Sequence, residues 1–338
     1  MADKRAETGD AAAAWSSYWQ GTQEAAAYRK GGPQDEVLAS FWSGLIGRIC
    51  ANGVRWRMLD FACGNGVVTQ LALTAAHARD EKVAPEFVGL DASLPAASAY
   101  RARFPSASAV VAHGRRTPFA DAAFDLVASQ FGLEYAGLAA LGEAARLVKP
   151  GGLLAAVMHM RHGALYRECE SNFAAIARVR DSAVLAAAKE VFRRGASARR
   201  GLGSRAEFGR ADARLAVAVK ELENVLGSFG EAVAGGTVLR LYQDLAHMYG
   251  RMDAYDAGEV AAWADRLAGE IDSYAQRMSA VLDVALDAAQ LDAAAALAAS
   301  CGLAVRLREE LRMGPGIGEP AAWVLVCERP HETALSPS

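Results

Sequence analysis

Arg57-Met58-Leu59-Asp60-Phe61-Ala62-Cys63-Gly64-Asn65-Gly66-Val67 decides the fold. The apolar run Arg57–Ala62 reads as a buried strand, Cys63–Gly66 as a turn of small residues, and Val67 to about His77 as a helix. The same strand–helix alternation repeats downstream. Glu86–Asp91 reads as a second strand ending in an acid, followed by an alanine-rich helix to Phe104. Ala109–Ala112, Phe124–Ser129 and Leu153–Met158 read as strands three to five, with helical connections. Such βαβ units imply a parallel sheet covered on both faces. Leu303–Leu311 and Trp323–Cys327 are two further strands, joined by Gly314-Pro315-Gly316 and Gly318-Glu319-Pro320 as a closing antiparallel hairpin.

Between these blocks the alternation stops. The 338-residue chain has 10 prolines, and none lies between Pro150 and Pro315. Periodicity beyond His162 is helical only, so a helical insertion is expected after strand five rather than a plain loop. In its last segment Val260, Trp263, Leu267, Ile271, Tyr274, Met278 and Val281 fall on one amphipathic face. Shorter helices are expected from Ser171 to Arg194, Asp212 to Leu226 and Thr237 to Tyr249, broken at Gly201-Leu202-Gly203 and Gly235-Gly236. The expected organisation is an N-terminal helical segment over 1–53, a cofactor-binding core over 54–162, a helical insertion over 163–287 forming a substrate chamber or lid, a return to the core over 288–330, and a tail over 331–338.

With 52% hydrophobic and 22% charged residues the chain can bury a sizeable core, which excludes a disordered chain. Its 36 basic and 39 acidic side chains leave a net charge of −3, too little for a global field recruiting nucleic acid or an anionic membrane. The absence of a leader-like start and of a long apolar run points to a cytoplasmic protein. Cys50, Cys63, Cys169, Cys301 and Cys327 are an odd number without a C-x-x-C pair, so reduced thiols are expected.

Small residues after a buried strand let the backbone approach a ligand, and the following helix offers free N–H groups. A nucleotide-like ligand at the carboxyl ends of the strands follows from that geometry. A dinucleotide fingerprint would need a third glycine where Thr69 stands, which counts against NAD. Asp91 can accept both hydroxyls of a ribose, at about 1.5–3 kcal/mol for charge-assisted bonds, or cap the next helix through Ser93. The two roles are compatible.

Four ordered motifs carry a resemblance: Leu59–Gly66; Gly89-Leu90-Asp91; Thr117–Val127; and Leu147-Val148-Lys149-Pro150-Gly151-Gly152-Leu153-Leu154. Together they resemble the class I S-adenosylmethionine-dependent methyltransferases, over residues 55–160 and more loosely 288–330. The resemblance implies a doubly wound, mostly parallel seven-stranded sheet with the C-terminal hairpin supplying the antiparallel member, and S-adenosylmethionine as cofactor. It implies that Asp60 supports the methionine end; that Ala62, Cys63, Gly64, Asn65 and Gly66 allow close backbone approach; that Asp91 and Ala92 hold the ribose; and that Ser129, Gln130 and Phe131 border the methionyl group. Ala62 stands where the family usually has glycine, which a methyl group tolerates if φ stays negative. His113-Gly114 replaces the usual adenine-binding acid, so the imidazole or the backbone near Gly114 and Arg115 would read the adenine. Tyr18, Trp19 and Tyr28 precede the first strand with Trp15; they pack in the core or lie over the cofactor.

A sulfonium methyl is already activated, so in-line positioning is the main task, and a base is needed only for a protonated nucleophile. Base candidates at the ends of strands four and five are Glu134, Tyr135, His159 and His162, with His159 leading. His159 and His162 lack a third donor, so no metal site is expected. Arg193, Arg194, Arg199, Arg200, Arg205, Arg210 and Arg214 form a basic stretch opposed in sequence only by Glu207 and Asp212; it reads as a solvated mobile loop between helices, or as a site for an anionic substrate or RNA. The expected activity is methyl transfer to a small organic acceptor. A non-catalytic cofactor-binding scaffold and an RNA-modifying methyltransferase using the arginine stretch are the alternatives. The expected partner is the small-molecule acceptor, with a homodimer left open and neither membrane nor nucleic acid expected.

Overall fold

The computed structural model describes residues 15, 16, 18, 19, 33–50, 55–77 and 85–331. The chain divides into two compact units, one drawn from Met1–Arg167 and Ala280–Ser338 and the other formed by Glu168–Ser279.

The first unit is built on a seven-stranded sheet in the order β3-β2-β1-β4-β5-β7-β6. Its strands are β1 (Arg57–Phe61), β2 (Glu86–Asp91), β3 (Ser108–Val111), β4 (Phe124–Gln130), β5 (Val148–His159), β6 (Ala304–Met313) and β7 (Glu319–Glu328). All pairs from β3 across to β5 are parallel, and β7 runs antiparallel to both β5 and β6. The central strands are buried almost throughout, Met58, Leu59, Asp60 and Phe61 in β1 and Leu126 to Ser129 in β4. Continuous burial is what a parallel sheet covered on both faces requires, and it explains why these strands read as apolar runs.

Helices α1 (Pro33–Cys50), α2 (Val67–His77), α3 (Leu94–Arg103), α4 (Ala139–Arg146) and, after the second unit, α10 (Ala288–Ser300) cover the sheet. Helix α1 buries Leu38, Trp42, Leu45 and Ile46, one stripe at helical spacing, each contributing roughly 1.5–3 kcal/mol by removal from water. Ser93 caps α3 by accepting from the Ala96 N–H, with Pro95 in the first turn. Asp287 and Gln290 form a capping box on α10. That helix ends at Cys301-Gly302: Gly302 has φ +80, and the Gly302 and Leu303 N–H groups donate to Ala299 and Ala298.

Strand β5 starts five residues earlier than the apolar pattern indicates, because Val148 pairs with Phe124 before a register shift at the Lys149–Gly152 turn, where Gly151 has φ +76. The closing link between β6 and β7 contains Gly314, Gly316 and Gly318, all at positive φ.

The second unit is helical. Its elements are most of α5 (Ala164–Asp181), α6 (Val184–Arg199), α7 (Arg205–Phe229), α8 (Thr237–Gly250) and most of α9 (Ala257–Val284). Val184, Phe192, Leu215, Leu222, Leu241 and Ile271 sit in its core. The helix expected from Ser171 to Arg194 is in fact two, separated at Ala183, whose φ of +51 ends α5. Alanine carries no sequence signal for that conformation. The arginine stretch is not the expected loop: Arg193, Arg194 and Arg199 lie on α6 and Arg205, Arg210 and Arg214 on α7. Nor do only Glu207 and Asp212 oppose it, since Glu190 binds Arg193 and Arg194, and Asp253 binds Arg199 at 2.8 Å.

Candidate active site

Strand order reverses between β1 and β4, the switch point at whose carboxyl end open α/β sheets take ligands. Most of the sequence-derived site residues lie on the loops at that end.

The loop after β1 is organised by two carboxylates. Asp60 is buried, and its Oδ2 accepts from the backbone N–H of Thr69 at 3.1 Å and from its hydroxyl at 2.8 Å. Burial pushes this carboxyl up to about 7, against the lowering effect of the Thr69 bonds. Thr69, whose place a dinucleotide site would give to glycine, thus anchors Asp60. Asp91 ends β2; its Oδ2 accepts from the Gly64 N–H at 2.9 Å and its Oδ1 from the Ser93 N–H at 2.8 Å. Burial raises the Asp91 carboxyl, with the Ser93 and Gly64 bonds opposing. Ala92, next in the chain, is exposed. Cys63 is a buried thiol pushed up by burial and by the neighbouring Asp91 and Asp60. It stays protonated and is no nucleophile.

Ala62 departs from the sequence expectation: its φ is +58, not negative. A left-handed alanine costs of order 1 kcal/mol. Its methyl group lies against Gly132, where an added Cβ would stand 2.4 Å from that of Ala62. Gly64 (φ +52) is required by Trp19, whose ring would be 2.6 Å from an added Cβ. Gly66 (φ +88) faces the rings of Phe104 and Tyr100 instead, so it serves helix packing. Asn65 between them is buried.

After β3, His113 is exposed, and its Nδ1 accepts from the Arg115 N–H at 3.2 Å. Gly114 is buried against Phe61, 2.6 Å from an added Cβ. The Arg115 Nε donates to Ala136 O at 2.6 Å, fastening this loop to a 3₁₀ turn over Leu133–Ala136. After β4, Ser129 accepts from the Leu133 N–H at 3.0 Å, and Gln130 accepts from the Trp42 indole at 2.6 Å. Both side chains are thereby committed to holding protein. Phe131, at φ +54, turns its ring onto His159, with centroids 4.6 Å apart.

His159 and Glu134, chosen separately from the sequence, form one unit. Glu134 Oε1 accepts from the His159 backbone N–H at 3.0 Å and lies 2.7 Å from its Nδ1. The Glu134 side chain is fully buried and that of His159 is 10% exposed. Tyr135 meets the imidazole edge-on at 6.0 Å. Trp15 packs on Tyr135 at 5.8 Å, on Tyr18 at 5.8 Å and on Trp19 at 6.3 Å. An arc of aromatic rings therefore runs from Gly64 through Trp19, Trp15 and Tyr135 to His159. Tyr28 lies outside the described residues. His162 is not part of this cluster: at φ +62 it is exposed, its ring packs on Tyr166 at 5.3 Å, and its carbonyl accepts from Arg167. Among the described residues no three His, Cys, Asp or Glu side chains are grouped to hold a metal ion, and no helix is long and apolar enough to cross a membrane.

Sequence reasoning missed Thr69, Gly132 and the Glu134–His159 pairing. The first two have no signal of their own, being small residues among many. The third needs the register of β4 on β5, in which Gln130 pairs with Val157 and so sets His159 level with Gly132.

Residues 59–156 match the family model described as a methyltransferase domain. No curated protein matches the sequence. Among solved structures, the YcgJ protein of Bacillus subtilis is similar at 18% identity over 36% of this chain and 52% of its own, with a TM-score of 0.31. A chain of the complex between the Haloferax volcanii Trm112 methyltransferase activator and a protein designated a methyltransferase is similar at 13% identity over 88% of this chain and 96% of its own (TM-score 0.39). An S-adenosylmethionine-dependent methyltransferase of Mesorhizobium loti is similar at 22% identity over 31% and 48% (TM-score 0.28). The matched region spans about half the length of the first and third of these. Residues 59–156 of the sheet unit thus carry a methyltransferase domain.

Proposed function

We propose that the chain as a whole transfers the methyl group of S-adenosylmethionine to a small organic acceptor at the carboxyl ends of β1, β4 and β5. The observation that carries this reading is the position of Asp91. Each of its oxygens accepts one backbone N–H, from Gly64 and from Ser93, which fixes the carboxylate and leaves further lone pairs for a ribose diol. The cofactor fits the residues present. Gly64 has no Cβ where the loop is crowded, and the Trp15–Trp19–Tyr18 rings offer faces that attract a cation. In this reading Asp91 and Ala92 hold the ribose, the backbone of 62–65 holds the methionyl part, and the rim near His113, Gly114 and Arg115 borders the adenine. Asp60, Ser129 and Gln130 hold these loops in place.

When bound, the cofactor supplies an electrophilic methyl group on a sulfonium. The protein's contribution is to orient the acceptor in line and to exclude water, which effective molarity makes worth several kcal/mol, of order 10³-fold or more in rate. The chain leaves the sheet unit after Arg167 and returns to it at Ala280; within that unit Leu286 N donates to His159 O and Arg161 N to Leu286 O. The alternative of an RNA substrate is the less supported one, because three of the seven arginines, Arg193, Arg194 and Arg199, are engaged by Glu190 and Asp253.

The test is calorimetric titration of S-adenosylhomocysteine into the wild type and Asp91→Ala, combined with consumption of methyl-labelled S-adenosylmethionine in the presence of a small-molecule extract. Micromolar binding and turnover, both lost in Asp91→Ala, are expected. Binding without turnover by any extract would support the scaffold alternative, and no binding would end the reading.

A further inference from the structure

The Glu134–His159 unit resolves which chemistry the acceptor brings. We propose that the acceptor is a phenolic hydroxyl, that His159 Nε2 takes its proton during transfer, and that Glu134 is the positioning residue that keeps Nε2 free to do so. This rests on the methyltransferase reading and goes beyond it in naming the acceptor class.

Three features carry it. The first is the tautomer. Glu134 Oε1 already accepts the His159 backbone N–H, so it meets Nδ1 as an acceptor too, and the ring proton belongs on Nδ1. That leaves Nε2 as a bare lone pair, the state a proton acceptor needs. The second is charge. Glu134 is fully buried, its only ion-pair partner among the described residues is His159, and its Oε2 has no hydrogen-bond partner there. A buried carboxylate with no cation beside it is compensated when the imidazole becomes imidazolium. Glu134 and Tyr135 are the titratable groups seen to face the imidazole. The third is shape. Phe131 at 4.6 Å and Tyr135 at 6.0 Å border the ring, and Trp15 extends the same wall, a setting for a flat apolar acceptor.

The balance is simple. The acceptor O–H bond breaks, its proton goes to Nε2 and its electron pair stays on oxygen. The oxygen bonds the methyl carbon as the methyl–sulfur bond breaks, with that pair staying on sulfur. One positive charge thus passes from sulfonium to imidazolium, 2.7 Å from Glu134, and later leaves as a proton to water. Acidity selects the hydroxyl type. Whatever the base, a phenol near 10 gives up its proton about 10⁵- to 10⁶-fold more readily than a water-like hydroxyl near 15.7. A neutral amine already has its lone pair and has no use for the base.

Nitrogen-15 NMR of the full-length protein without cofactor is expected to show His159 protonated on Nδ1 and bare on Nε2; a ring protonated on Nε2 overturns the proposal. With methyl-labelled S-adenosylmethionine at pH 8, the wild type is expected to methylate 1-naphthol and catechol and to leave 1-naphthylamine untouched. His159→Ala is expected to lose about 10²- to 10⁴-fold in kcat on 1-naphthol and to regain rate with added imidazole. On 4-nitrophenol, already ionised at that pH, it should stay near the wild-type rate. Glu134→Gln is expected to follow the same pattern with a smaller loss. Equal losses on both phenols, preference for the amine, or no transfer to any of the three phenols by a wild type that binds S-adenosylhomocysteine would each overturn the proposal. Failure to bind S-adenosylhomocysteine at all would strike the underlying methyltransferase reading instead, and the tautomer measurement would still decide the Glu134–His159 arrangement.

Discussion

Asp60→Asn should make the protein more stable at pH 8 while leaving it nearly unchanged near pH 4. The carboxyl is pushed from its ordinary 3.8 up to about 7, chiefly by burial. In the unfolded chain it ionises near 3.9. Between roughly pH 4 and pH 7 the folded protein therefore holds a proton that the unfolded chain has released, so stability falls as pH rises through this window and is level above about pH 8. About three units at 1.36 kcal/mol each give roughly 4 kcal/mol. The amide variant keeps an oxygen that can accept from the Thr69 N–H and hydroxyl, as Oδ2 does at 3.1 and 2.8 Å, and it has no charge to desolvate. The assay is urea unfolding at pH 4.5, 6, 7 and 8, followed by tryptophan emission, since five of the six tryptophans lie in the sheet unit and only Trp263 in the other. With an m-value of about 3 kcal/mol/M, the midpoint of the variant at pH 8 should exceed that of the wild type by more than about 1 M. The other titrating groups are common to both proteins and cancel in the difference. Parallel pH profiles, or a variant less stable at pH 8, would show that Asp60 is ionised at no cost in the fold and would refute the reasoning.

Gly132→Ala should cost about 1–3 kcal/mol, because its Cβ would stand 2.4 Å from that of Ala62; Ala62→Gly should restore most of this, and a double-mutant cycle in urea with no coupling would exclude the contact. Glu143 is held down to about 2, first by its hydrogen bond to Arg146, so its stabilisation is present above pH 4.5 and lost as pH falls through 2. Glu143→Gln should therefore show a deficit of about 2 kcal/mol at pH 7, discounted because Arg146 is 32% exposed, and the deficit should shrink visibly by pH 3; a pH-independent deficit would contradict it. Binding of S-adenosylhomocysteine should change tryptophan emission, and Trp19→Phe, at the ring packed on Gly64, should remove most of that change; an unaltered response would move the cofactor away from this loop.

Much of the sheet was legible because parallel strands buried on both faces leave continuous apolar runs, and because the first is followed by a Gly-rich turn and the second ends in an acid. The helical unit was legible in kind and at its glycine joints, Gly201-Leu202-Gly203 and Gly235-Gly236, but not at Ala183, whose φ of +51 breaks a helix where no glycine or proline warns of it. The surrounding packing imposes that conformation against local preference. Nor could the sequence show that Asp253, 54 residues beyond Arg199, would pair with it, although Glu190 stands at helical spacing, three and four residues before Arg193 and Arg194; ion pairs across helices are set by the fold.

The same contrast explains the site. Asp60, Gly64 and Asp91 were legible because each sits at a strand end where chemistry and chain geometry coincide. The Glu134–His159 contact is different: it depends on Ser129 holding the Leu133 N–H, which folds Glu134 back over the end of β5. It depends equally on Gly132 yielding space to the methyl group of Ala62. Alanine at 62 looks like a loss of freedom when the loop after β1 is considered alone. Set against β4, it transfers the demand for glycine from position 62 to position 132. The turn that carries Glu134 starts at that residue, so a local departure from the family pattern reaches the proposed proton acceptor through one van der Waals contact. A larger residue at either position would press on that turn before it touched any ligand.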